Sequence, residues 1–161
     1  MKGVTAIGRR AVREGDRAFL LALYGSCRAD EMAAWGWSEE QWAVFINMQY
    51  SARCCQYDAV FPGRDDSIIL LGGVSAGLLS IYRGETALNL VDIALLPDHR
   101  GSGVGSRLLR ELQREATESG KPLRLHVLAE NTAASRFYQQ LGFECQEEGV
   151  HRLLEWRPNM A

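Results

Sequence analysis

The sequence predicts a mixed α/β (α+β) domain, and three observations predict it. Between Ser67 and Leu96 the apolar residues follow strand spacing, broken at Gly72-Gly73 and at Arg83-Gly84-Glu85, as in an antiparallel meander. After Pro97 the period changes, and strand and helix patterns alternate. The chain has 161 residues, 47% hydrophobic and 24% charged, which suffices for one domain with its own core and is short for two. The expectation is a single domain over 1–161, with a mixed, mostly antiparallel central sheet of about six or seven strands and about four flanking helices.

Val4 to Arg10 reads as a short first strand, weakened by Gly8. Arg13 to Tyr24 reads as a helix with Phe19, Leu20 and Leu23 on one face. Ser38-Glu39-Glu40-Gln41 is a capping-box pattern. The helix after it is expected to bury Trp42, Phe45, Ile46 and, at its margin, Met48, and to end before Phe61-Pro62-Gly63. Strands are expected over Ser67 to Leu71, Val74 to Tyr82 and Thr86 to Leu96. A helix from Gly103 or Val104 to Ser119 carries Val104, Leu108, Leu109, Leu112 and Ala116 on one face, and Gly120 stops it. Leu123 to Leu128 alternates as a half-buried strand does. Asn131 can cap a helix to Leu141, with Gly142 as its left-handed terminus. Phe143 to Glu148 and Val150 to Trp156 form a closing hairpin around Gly149.

Formal net charge is -2, so no global basic field recruits nucleic acid or an anionic membrane. The four cysteines, Cys27, Cys54, Cys55 and Cys145, contain no CxxC pair, and the reading is reduced, mostly buried thiols with no metal site. No segment reaches the about 18 apolar residues of a membrane span. The short apolar run from Ala18 to Gly25 follows charges of both signs, unlike a signal peptide, so a cytoplasmic protein is expected.

The most informative segment runs from Leu88 to Leu109. A strand passes through Pro97 into Arg100-Gly101-Ser102-Gly103-Val104-Gly105 and then into a helix. Glycines let backbone N–H groups converge, and a helix N-terminus offers unpaired donors with partial positive charge, which suits a phosphate or pyrophosphate. On local pattern alone, a ligand-free turn fits equally well. A Walker loop would need Gly-Lys-Ser/Thr where Gly105-Ser106-Arg107 stands. A dinucleotide fingerprint would need G-x-G-x-x-G after a first parallel strand.

Arg100 to Gly105 satisfies each defined position of Gln/Arg-x-x-Gly-x-Gly/Ala, the acetyl-CoA signature of the GNAT superfamily of N-acetyltransferases, which this sequence resembles. Asn131-Thr132-Ala133-Ala134-Ser135-Arg136-Phe137-Tyr138, continuing to Gly142-Phe143, is similar to that family's N-x-x-A-x-x-x-Y-x-x-x-G-F segment. The resemblance is close over residues 67–148. It implies acetyl-CoA as co-substrate, no metal, and direct transfer of the acetyl group to a primary amine of a small molecule or peptide. Ile93, Ala94 and Leu95 would then line the pantetheine arm. Arg100, Gly101, Ser102, Gly103, Val104, Gly105 and Ser106 would hold the pyrophosphate, with Asn131 and Tyr138 also on the coenzyme.

The chemistry needs a neutral nucleophile and a proton for the departing thiolate. Tyr138 is the candidate acid by resemblance. His126 and Asp92 are candidate bases: histidine titrates near neutral pH, and Asp92 interrupts an apolar strand. Asp92 could equally be held in an ion pair with an arginine, and an ordered water could replace either base. Arg107 and Arg110 could neutralise the 3′-phosphate or be solvated. The resemblance puts the acceptor near the first two helices, where Glu31, Trp35, Trp37, Glu39, Glu40, Trp42, Tyr50 and Tyr57 lie. The plainer reading makes Trp42 and one other tryptophan core and the glutamates solvated. Val150 to Trp156 could form an edge for homodimer pairing. A coenzyme-binding sensor without catalysis would share the loop and differ at Tyr138 and the base.

Overall fold

The computed structural model describes residues 6–159. Seven strands form one sheet in the hydrogen-bonded order β1-β2-β3-β4-β5-β7-β6. They are β1 (Ile7–Ala11), β2 (Asp65–Leu71), β3 (Val74–Arg83), β4 (Leu88–Leu95), β5 (Leu123–Leu128), β6 (Glu144–Glu147) and β7 (His151–Trp156). The helices are α1 (Arg17–Ser26), α2 (Ala29–Trp35), α3 (Glu39–Val60), α4 (Val104–Ser119) and α5 (Thr132–Gln140). The mixed, mostly antiparallel sheet is the expected one: β4 and β5 run parallel, while β1–β2, β5–β7 and β6–β7 are antiparallel. Of the first expected strand, Val4 and Thr5 lie outside the described residues, and the strand begins at Ile7.

The chain divides into two compact units, the described residues up to Ser80 with Asp92–Gly101, and Ile81–Val91 with Ser102 onward. Two of the three boundaries fall inside strands, β3 and β4, and the third falls between Gly101 and Ser102.

In the first unit, Leu20 and Leu23 of α1 and Ile68 of β2 are buried together, with Val12, Phe19, Tyr50, Leu70, Leu78, Ala94 and Leu96 packed around them. The Gly72-Gly73 turn has φ of 57° and 83°, the paired left-handed conformation that closes a two-residue hairpin and that glycine adopts without strain. Ser38 caps α3 as expected, its Oγ accepting from the Gln41 N–H at 3.2 Å while the Ser38 N–H donates to Gln41 Oε1 at 3.0 Å. Of the face expected on α3, only Ile46 is fully buried, Trp42 and Phe45 are half-buried, and Met48 is 66% exposed. The 3.6-residue period explains this correction: from Ile46 the same face continues at Tyr50, two residues past Met48.

The turn before α1 is held by charge. Arg10 donates to both carboxylate oxygens of Asp16 at 2.7 and 2.8 Å, and the Arg13 N–H donates to the same group at 2.7 Å. The Arg10 hydrogen bond, then the Arg13 N–H, holds the Asp16 carboxyl below the usual carboxylate range. A depressed carboxylate stabilises the fold above its unfolded pKa of about 3.9 and loses that contribution as pH falls through the folded value. Asp16→Asn is therefore expected to be less stable than the parent at neutral pH. Urea melts at a series of pH values check this, the two proteins converging at the acid end.

In the second unit, the predicted face of α4 is the observed one: Val104, Leu108, Leu109, Leu112 and Ala116 are all buried. Each fully buried leucine contributes about 2 kcal/mol by area removed from water. Gly120 ends the helix at φ 68°. Leu123, Leu125 and Val127 of β5 are buried alternately with more exposed neighbours, as the alternation required. Glu155 of β7 is buried and lies between Arg124 Nε at 2.6 Å and Arg157.

Two further expectations are corrected. β7 pairs with β5 on one side and β6 on the other, so Val150 to Trp156 supplies no sheet edge; the outer strand is β6. The cysteines are free but not mostly buried: Cys27, Cys55 and Cys145 are exposed and Cys54 is intermediate. Among the described residues, no helix is long and apolar enough to cross a membrane.

Candidate active site

The glycine-rich segment starts from β4 and ends as α4. Pro97–His99 makes a 3-10 turn, after which the Arg100 side chain folds back. Its Nε donates to the Leu95 carbonyl at 2.9 Å, and an Nη lies 3.5 Å from Cys27 Sγ. Arg100 thus ties the loop to the end of its own strand. Gly101 and Gly103 have φ of 73° and 86°, a region costly for any side chain. Gly103 is the N-cap and supplies no capping side chain; the first N–H to find an intrahelical acceptor is Arg107, at 3.1 Å from the Gly103 carbonyl. By helix geometry, the N–H groups of Val104, Gly105 and Ser106 have no acceptor in the helix. The first turn carries no acidic residue. These features fit a pyrophosphate. A Cβ at Gly105 would meet Phe137 at 3.6 Å, ordinary contact, so this position has room for glycine or alanine.

On α5, Asn131 caps the helix, its side-chain oxygen accepting from the Ala134 N–H at 3.1 Å. Tyr138 is 8% exposed, with its ring 5.1 Å from Phe137 and 5.6 Å from Phe143 in edge contacts. The Tyr138 carbonyl accepts from Leu141 and Phe143, which fixes the residue from the backbone side. His126 lies on β5 opposite Leu153 of β7, exposed between the buried Leu125 and Val127. Ser102 to Ser106, His126, Asn131 and Tyr138 all belong to the second unit. Arg107 and Arg110 are exposed on α4.

Asp92, Ile93, Ala94, Leu95, Arg100 and Gly101 belong to the first unit. The ladder between β4 and β5 ends at the Leu90–Leu125 pair, although β4 runs on to Leu95. The Ala94 carbonyl points at Gly77 of β3, where a Cβ would come within 2.1 Å of it. Asp92 is in an ion pair, its Oδ2 2.9 Å from an Nη of Arg53. Burial pushes the Asp92 carboxyl above the usual carboxylate range, with Arg53 and the Ile93 N–H opposing it. Burial disfavours the Arg53 charge, but Asp92 and then Tyr57 outweigh it and raise the guanidinium pKa.

The sequence reading allowed Asp92 an arginine partner without naming it, and that partner is Arg53. Its guanidinium lies 5.3 Å from the Tyr24 ring and 5.1 Å from the Tyr57 ring, and its Nε donates to the Tyr57 hydroxyl at 2.9 Å. Nearby, Arg28 pairs with Glu31 at 2.6 Å and donates to the Tyr24 hydroxyl at 3.1 Å. Phe45, Trp35, Trp37 and Trp42 form one aromatic cluster with ring separations from 5.1 to 6.3 Å. Contrary to the plainer reading, no tryptophan here is core: Trp42 is half-buried, while Trp35 and Trp37 are 47% and 37% exposed.

The model of the acetyltransferase (GNAT) family matches residues 27–143, more than half of the chain. The chain belongs to the GNAT family. Thialysine N-epsilon-acetyltransferase from Bos taurus is 32% identical over 94 residues, 56% of this chain and 55% of the bovine protein. The chain thus spans about half the length of the curated relatives it matches. Among solved structures, the PaiA N-acetyltransferase of Thermoplasma acidophilum, crystallised with coenzyme A, superposes with a TM-score of 0.70 at 19% identity, covering 94% of this chain and 99% of that one. The ribosomal-protein-S18-alanine N-acetyltransferase of Escherichia coli gives 0.64 at 18% identity, covering 97% and 96%. At these identities the likeness is one of GNAT fold.

Proposed function

We propose that this chain transfers the acetyl group of acetyl-CoA directly to a primary amine of a small molecule or peptide, acting as one N-acetyltransferase domain over 1–161 in the cytoplasm. The observation that carries the reading is the uncapped start of α4 behind Arg100 to Gly105, in a chain of this family. The names of its relatives, including an N-epsilon-acetyltransferase, support an amine acceptor.

In this reading Val104, Gly105 and Ser106 donate their N–H groups to the pyrophosphate, and Gly101 and Gly103 let the backbone approach. Ile93, Ala94 and Leu95 line the pantetheine arm, and Asn131 adds a coenzyme contact to its capping bond. The amine nitrogen attacks the thioester carbonyl, a C–N bond forms and the C–S bond breaks. The thiolate takes a proton from Tyr138, and the proton shed by the nitrogen leaves through His126. His126 is favoured over Asp92 because the Asp92 carboxylate is engaged by Arg53, and a base must have an oxygen to offer.

Calorimetric titration with acetyl-CoA, ATP and NAD is expected to give binding to acetyl-CoA alone. A panel of amines followed by free-thiol release, corrected for hydrolysis, should then give turnover. Preference for ATP or NAD would defeat the reading at the cofactor. Tight acetyl-CoA binding without turnover on a broad panel would favour the sensor.

A further inference from the structure

A nine-residue helix does not hold its own place: helices shorter than about 12 residues are marginal in water, and their position comes from what they pack against. α5 is such a helix, with Asn131 at its cap and Tyr138 on its buried face. Its N-terminal end follows β5 directly, the Asn131 N–H donating to the Leu128 carbonyl at 3.0 Å. Past its C-terminal end, Gly142 lies against Trp156 of β7, close enough that a Cβ there would stand 3.3 Å from the indole. Neither contact reaches α4, the helix whose first turn is proposed to take the pyrophosphate.

Two contacts do reach α4. Phe137 lies against Gly105 in the first turn of α4, its Cζ 3.6 Å from where a Cβ would stand. Gln113, about two turns further along α4, donates from Nε2 to the Leu141 carbonyl at 2.8 Å. Tyr138 lies between these two attachment points on α5. One contact would leave the short helix free to turn about it, and a second, about one turn away, removes that freedom. The Leu141 end is in turn fixed to Tyr138. The Tyr138 carbonyl accepts from the Leu141 N–H at 3.0 Å and from the Phe143 N–H at 3.1 Å, and the Phe143 ring is 5.6 Å from the Tyr138 ring. The Gln113 side chain takes no part in the backbone ladder of α4, so its bond serves the neighbouring helix.

We propose that Gln113 is a positioning residue for acetyl transfer: with Phe137 against Gly105, it locks α5 on the coenzyme-binding helix, so that Tyr138 and the thioester share one frame. This rests on the reading of Tyr138 as the acid. A displacement of about 1 Å in a reacting group can lower a rate by about a hundredfold, whereas a neutral hydrogen bond contributes little to global stability. Loss of this bond should therefore fall on turnover more than on the melt.

Gln113→Met keeps the side-chain length and helix propensity and removes the donor, while Gln113→Lys keeps a donor of similar reach. In the protein loaded with acetyl-CoA, amide exchange at Phe143 is expected to be about tenfold faster in Gln113→Met and close to the parent's in Gln113→Lys. With the amine turned over fastest in the panel, Gln113→Met is expected to lower kcat about tenfold at unchanged acetyl-CoA affinity, and Gln113→Lys to recover most of it. In a Tyr138→Phe background, Gln113→Met should lower kcat by less than about twofold, since misplacing the acid matters only while the acid is present. A glutamine that merely holds the fold would lower both backgrounds alike. Parent-like exchange at Phe143 in folded Gln113→Met, or an equal loss of rate in both backgrounds, overturns the proposal. A slow Tyr138→Phe beside a Gln113→Met at the parent's rate marks failure of this role alone. Full activity in Tyr138→Phe, or no turnover on the panel, marks failure of the reading it rests on and takes this role with it.

Discussion

Tyr138→Phe is expected to lower the rate of acetyl transfer by about a hundredfold while leaving acetyl-CoA affinity within about twofold of the parent. The substitution removes one oxygen and keeps the ring, whose contacts with Phe137 and Phe143 at 5.1 and 5.6 Å hold α5 and the start of the closing hairpin in place. The effect should therefore fall on kcat and not on folding. A thiolate is a fair leaving group, since thiols titrate near pH 8 to 9, so the expected loss sits at the low end of what general acids contribute. The pH–rate profile adds a second readout. His126→Gln should remove the limb on which the rate rises with pH, and Asp92→Asn should leave that limb in place. Full activity in Tyr138→Phe would remove the acid role. An unchanged profile in His126→Gln would transfer the base role to water.

What the sequence made legible was local. The Ser38–Gln41 box, the Asn131 cap, the Gly72-Gly73 turn and the buried face of α4 each depend on residues within a few positions of one another. The coenzyme loop was legible for the same reason: its glycines and the helix after them are contiguous. Short α2 escaped because its N-cap, Arg28, makes no side-chain capping bond, and its buried-residue signal is absent. The Arg53–Asp92 pair joins α3 to β4 across 39 positions, and opposite charges in sequence give no hint of which will meet. β7 as an inner strand follows from its register with β5, Leu123 to Leu128 against Trp156 to His151, which a hairpin pattern with β6 does not contain. Which tryptophans stay exposed is not legible from their type alone, because apolar character predicts burial in one direction only.

Gly77 is the position in β3 where the smallest change should do the most damage to the fold. A Cβ there would stand 2.1 Å from the Ala94 carbonyl oxygen and 2.9 Å from Leu95 Cδ2. The first of these is backbone, so no rotamer change relieves it. The Leu96 N–H donates to the Ala76 carbonyl at 2.9 Å, pinning β4 to β3 beside the clash. Ala76 itself is fully buried. Gly77→Ala must therefore push β4 away from β3 and spend that hydrogen bond, at an expected cost of about 3 kcal/mol and a fall in Tm of about 6–12 °C. Gly105→Ala is the matched comparison. Its added methyl would meet only Phe137 at 3.6 Å, in the first turn of α4, where alanine has the better helix propensity. Its Tm is expected to equal or slightly exceed the parent's. Thermal melts of the two variants decide whether the close approach of Ala94 to Gly77 holds β4 at residues 93–95. A Gly77→Ala protein that melts with the parent would show that β4 can shift there without cost. The backbone positions assigned to the pantetheine arm would then lose their fixed frame.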